Sequence, residues 1–159
     1  LSAHPALGVG ETDVFVYDLG MSHDLGLTHV ALTVRDGAKS KAFYARFANM
    51  QVVHERKDHA NGKSVLWLSD RTRPFVIVLI EVDRVDVQLG GWAHLGVGCV
   101  SRAEVDRLCA LAREEGCLVQ APHDAGYPVG YWGMIRDPDG HNVELAYGQE
   151  VGLTVARTP

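Results

Sequence analysis

Glu144 stands in the middle of an alternating stretch, Asn142 to Tyr147, that follows the turn Asp137-Pro138-Asp139-Gly140. Pro138 presets φ at the first corner and Gly140 tolerates a positive φ, so a strand is expected to start directly afterwards. Val143, Leu145 and Tyr147 then point one way, and Asn142, Glu144 and Ala146 the other. A mid-strand carboxylate among small and polar neighbours needs a partner, and a metal ion is one such partner. Two histidines stand in matching settings. His29 shares its face with Ala31 and Thr33, and His94 shares its face with Gly96 and Gly98. Small neighbours leave volume before each imidazole, where a core strand would place Val, Leu or Phe. Two imidazoles and one carboxylate are a common set for a divalent ion with open positions, where a substrate chelates and an oxyanion is stabilised. His29, His94 and Glu144 are therefore the expected metal ligands. Glu144, His54 and Tyr131 are the expected catalytic groups, the last two as acid or base.

The elements that would position these residues come in one order, twice. Leu27 to Val34 alternates, with Val30, Leu32 and Val34 on one face. Asp36 fits an N-cap, and Phe43 and Phe47 continue at helical spacing to about Asn49. Strands are predicted at 51–56, 64–68 and 75–82, the last apolar on both faces. From Trp92 the order repeats with an offset of about 65 residues. Ala93, Leu95, Val97 and Cys99 form one strand face. Ser101 and Glu104 form a capping box, and Gly116 stops the helix. Further strands are predicted at 117–120, 130–136 and 142–147. His29 maps onto His94 and Asp36 onto Ser101. The divisions are an N-terminal arm at 1–25, modules at 26–83 and 92–148, and a tail at 149–159. His123 and Asp124 fall in a loop that would flank the mouth of a cavity. Trp67, Tyr127 and Trp132 are available as its apolar walls.

The chain as a whole excludes several classes of function. Its 159 residues are 47% hydrophobic and 22% charged, the balance of an ordinary globular protein. A formal charge of -5 with no basic stripe excludes a nucleic-acid binder. No apolar run reaches the length of a membrane span, and Leu1 to Gly10 lacks a secretory pattern, so a cytoplasmic location is expected. Cys99, Cys109 and Cys117 have no metal-binding spacing and read as reduced packing residues.

The repeat, the His-Val-Ala-Leu-Thr-Val opening with Phe43-Tyr44, and Asp-Pro-Asp-Gly-His-Asn-Val-Glu-Leu together resemble the vicinal oxygen chelate superfamily. This group spans glyoxalase I, extradiol dioxygenases, fosfomycin-resistance enzymes and bleomycin-resistance proteins. The resemblance runs from Leu27 to about Gly148. It implies an α+β fold of two tandem βαβββ modules, whose curled mixed sheets form a cup around a metal held by His29, His94 and Glu144. It also implies one divalent ion (Fe2+, Mn2+, Zn2+, Ni2+ or Co2+), a small substrate with adjacent oxygens, and a homodimer. The expected chemistry is dioxygenase-like or glyoxalase-like, the latter meaning lyase or isomerase. The alternative is metal-free ligand binding of the bleomycin-resistance type. Val78 stands where glyoxalase I carries a fourth ligand, and Glu81 lies three residues further on. Met134 stands where the dioxygenases place a Tyr, and Ala31 where the fosfomycin enzymes place a Thr.

Overall fold

A computed structural model of the chain describes residue 24 and residues 26–157. Most of the N-terminal arm lies outside the described residues. The first half begins with β1 (His29–Val34), where alternation buries Leu32 and Val34 and leaves His29 and Ala31 exposed. Helix α1 (Gly37–Ala48) starts at Asp36, whose carboxylate accepts the Lys39 N–H at 3.1 Å. It ends at Asn49, which takes the left-handed conformation at φ 52° and so frees the chain to turn into the next strand. Strands β2 (Gln51–Lys57), β3 (Ser64–Ser69) and β4 (Val76–Glu81) follow.

The second half runs β5 (Leu95–Gly98), α2 (Arg102–Glu114), β6 (Leu118–Asp124), β7 (Tyr131–Arg136) and β8 (Asn142–Tyr147). The two sheets have the same topology, β1-β4-β3-β2 and β5-β8-β7-β6. In each, the first and last strands pair in parallel and the remaining pairs are antiparallel. These are the two mixed four-stranded sheets of the expected α+β fold, and each sheet is open. At α2 only half of the capping box forms. Ser101 Oγ accepts the Glu104 N–H, while the Glu104 carboxylate turns to Arg107 at 2.7 and 2.8 Å. Three further expectations are corrected. His94 precedes β5 instead of lying within it, and β6 extends through His123 and Asp124 instead of leaving them in a loop. The tail, for which no element was predicted, carries a short helix α3 (Val151–Arg157) whose Val151 and Val155 are exposed.

Each helix covers one face of its own sheet. Register places Leu32, Ile77, Leu79, Leu66 and Leu68 against α1, and Val143, Leu145 and Ile135 against α2. The two halves share this interior, for Phe43, Tyr44 and Phe47 belong to the same buried cluster as Val105, Leu108 and Leu145. A polar clasp closes the seam. Tyr44 donates its hydroxyl hydrogen to Asp137 at 3.0 Å, and Arg35 donates to Asp139 at 2.8 Å. His141, buried, accepts the Leu89 N–H on Nδ1, so its Nε2–H donates to the Thr33 carbonyl at 3.0 Å. One imidazole thus ties the turn before β8 to the linker and to β1.

Candidate metal centre and ligand cup

Opposite the helix-covered faces lie two faces set aside by the same alternation. On the second sheet, β8 presents Asn142, Glu144 and Ala146, all buried. Register brings Met134 and Gly96 alongside Glu144, and Trp132 and Gly98 alongside Ala146. A Cβ built on Gly96 or Gly98 would meet nothing within 4 Å, so these glycines leave space beside the carboxylate. His94 reaches into it. Its Nε2 lies 3.6 Å from Glu144 Oε2, beyond hydrogen-bond range, and its Nδ1 lies 2.7 Å from the Trp92 carbonyl. A carbonyl only accepts, so Nδ1 carries a proton, and Nε2 is the ring nitrogen that faces the carboxylate. Gln149 holds the other carboxylate oxygen at 2.6 Å.

Two groups able to ligate a cation, one imidazole nitrogen and one carboxylate, face each other here. Among the described residues Glu144 has no Lys or Arg partner, although its side chain is only 7% exposed. Each of the two groups is oriented by a further hydrogen bond, the imidazole by the Trp92 carbonyl and the carboxylate by Gln149.

On the first sheet the concave face carries His29, Ala31 and Thr33 from β1, with Val76, Val78 and Ile80 from β4. Trp67 and Val65 of β3 continue the face, and His54 and Arg56 of β2 complete it. These strands enclose a cavity of about 520 Å³ lined by His29, Ala31, Val65, Trp67 and Val78 among others. His54 is exposed and packs edge-on against Trp67, with ring centroids 5.2 Å apart. Glu81 lies on the opposite side of the sheet and accepts the Ser64 N–H at 3.2 Å.

The structure brings together only part of the expected constellation within one chain. His94 and Glu144 meet; His29 does not join them, and among the described residues no three His, Cys, Asp or Glu side chains could hold a metal ion. The reason is topological. His29 opens onto the concave face of the first sheet beside Val76 and Val78, whereas His94 sits in a crevice walled by Tyr44, Met50 and Ile77, behind that sheet.

Tyr131 is corrected as a catalytic candidate. Pairing of Met134 with Glu144 fixes the parity of β7, so Trp132 faces the cup and Tyr131 faces α2. There its hydroxyl donates to Asp106 at 2.6 Å, and Arg102 lies over its ring at 5.0 Å. The Asp106 carboxylate holds the phenol above its ordinary pKa, which further removes it from neutral-pH base chemistry.

Sequence reasoning gave little weight to the β6 edge of the second face. His123 pairs in register with Trp132, its ring 4.5 Å from the indole, with Gln120 Nε2 3.1 Å from its Nδ1. Trp132 Nε1 is the single buried side-chain polar atom without a hydrogen-bond partner among the described residues.

Comparison with known proteins agrees with this architecture. Residues 26–145 match the family described as the Glyoxalase/Bleomycin resistance protein/Dioxygenase superfamily. An uncharacterized protein of Pseudomonas aeruginosa is 39% identical over 129 residues, covering 79% of this chain and 91% of the relative. Among solved structures, the fosfomycin resistance protein FosX of Listeria monocytogenes superposes with a TM-score of 0.64 at 20% identity, covering 84% of this chain and 99% of that one. That crystal contains Mn(II) and 1S,2S-dihydroxypropylphosphonic acid. A glyoxylase/bleomycin resistance protein/dioxygenase domain from Frankia sp. gives a TM-score of 0.61 at 24% identity, covering 79% and 99%.

Proposed function

Because the chain belongs to the Glyoxalase/Bleomycin resistance protein/Dioxygenase superfamily, we propose that it is a divalent-metal-dependent enzyme acting on a small substrate with two adjacent oxygens. Its reaction is dioxygenase-like or of the lyase/isomerase kind. The metal is held by His94 and Glu144 of one subunit and by His29 supplied from a second copy of the chain. One observation carries the reading: Nε2 of His94 faces the buried Glu144 carboxylate beside two glycines that leave the space open. FosX, the fold neighbour with Mn(II) and a vicinal diol in its crystal, supports it by analogy.

When bound, such an ion supplies Lewis-acid stabilisation of negative charge on a substrate oxygen. The chain's own residues do the rest. The Trp92 carbonyl fixes the His94 ring and Gln149 fixes Glu144, so neither has to reorganise during reaction. Met134, Trp132 and Ala146 exclude water from one side of the carboxylate. His54, exposed beside Trp67 on the first sheet, is assigned the giving or taking of a proton on the strength of its residue type.

Metal analysis of protein purified without chelators tests the reading. About one equivalent of a divalent ion per chain is expected, lost on dialysis against EDTA and absent from Glu144→Gln. Gln149→Ala is expected to weaken binding by about 10–100-fold. Protein that takes up no divalent ion, yet binds apolar ligands in the first-sheet cavity, would instead match a sequestering role.

A further inference from the structure

The cavity on the first sheet has a polarity along its length. Its volume of about 520 Å³ lies in the ordinary range for a small-molecule site. His29 lines one end. Register then steps across the sheet through Val78 and Trp67, and one row further on from Val65 to Arg56 on the outer strand. Three strand spacings and a four-residue offset along the strands put Arg56 roughly 15–20 Å from His29, allowing for curl. Between them the floor is apolar: Val78 and Val65 are buried, and Trp67, 41% exposed, presents its indole to the cavity.

Arg56 is exposed and has no ion pair or hydrogen bond among the described residues. Of the other charged groups lining the cavity, the cation Arg73 is committed. Arg73 donates to Thr72 and lies 3.6 Å from Asp70. Asp58 accepts the Ala60 N–H in its turn, and Asp24 precedes β1. Among the described residues, Arg56 is therefore an uncommitted cation at the far end of an apolar trough.

We propose that Arg56 determines specificity for an elongated substrate. Its oxygen-bearing end lies at His29, its apolar or aromatic body crosses Trp67, and a carboxylate or similar anion at the other end pairs with the Arg56 guanidinium. A planar fork of donors suits a carboxylate bidentately, and a ring over the indole gains area and favourable geometry. The inference rests on the proposed function for the role of the His29 end; the anion and apolar contacts are read from the cavity itself.

Calorimetric titration of the purified protein with 6-phenylhexanoate and with its uncharged amide tests this, with metal content measured on the same samples. The carboxylate is expected to bind at least about tenfold more tightly than the amide. Arg56→Gln is expected to abolish that preference while leaving amide affinity within about twofold, and Arg56→Lys to retain part of it. Equal affinities in the wild type, an undiminished preference in Arg56→Gln, or binding of neither probe would overturn the proposal. A charge preference in protein that holds no metal would sink only the metal-enzyme reading; metal without a charge preference would sink only this one.

Discussion

At the scale of single residues, Tyr44 shows how much one hydroxyl can hold. It is fully buried and donates to Asp137, whose other oxygen accepts the N–H groups of Asp139 and His141. Burial first, and then the Asp137 carboxylate, push the phenol well above its ordinary pKa. A raised folded-state value means that the contribution to stability is complete below about pH 10 and is lost as pH rises beyond it. Tyr44→Phe is expected to cost about 1–3 kcal/mol at pH 7, because Asp137 loses a donor while remaining buried. The same variant should flatten the fall in stability above about pH 10. Urea denaturation at neutral and alkaline pH checks both expectations, and an unchanged alkaline slope would refute the assignment. His94 stands just before β5, whereas the place of Glu144 on the face of β8 opposite Val143 and Leu145 was legible from alternation alone. The parity that turns Tyr131 away and Trp132 inward was not, because it depends on the register between β7 and β8.

At the scale of elements, the joint between α2 and β7 is set by a missing side chain. A Cβ on Gly133 would stand 2.7 Å from Cys109 Sγ and 3.2 Å from the Gln120 carbonyl. Gly133 thus lets the helix lie close against the sheet, and burial pushes the Cys109 thiol up to about 11, so it stays protonated as a packing group. Gly133→Ala is expected to destabilise by about 1–3 kcal/mol through overpacking. Cys109→Ala in the same chain should recover part of that loss, which a double-mutant cycle by thermal melting would measure. The strands and helices carrying the site were readable from period and caps: Val30, Leu32 and Val34, then Asp36, announce β1 and α1 in order. The length of β6 was not readable, since Pro122 and the polar His123 and Asp124 imitate a loop while pairing with Trp132 and Tyr131.

At the scale of the whole molecule, the split of the proposed ligands between opposite sides of the first sheet makes a distinctive prediction. Neither His29→Ala nor Glu144→Gln alone should hold metal. Mixed and reassembled, the two variants should regain about one ion per mixed dimer, because one of its two sites draws His29 from one chain and Glu144 from the other. Metal content that stays at zero after subunit exchange would show that no such shared site exists. Sequence could place His29 and Glu144 on strands. It could not say which sheet faces would meet, because nothing in local period encodes how one half turns relative to the other.

The continuous interior running from Phe43 and Phe47 to Leu108 and Leu145 has its own thermal signature. Two repeats that look separable on paper should absorb heat in one cooperative peak, and neither should persist as a free-standing fragment once the other is cut away.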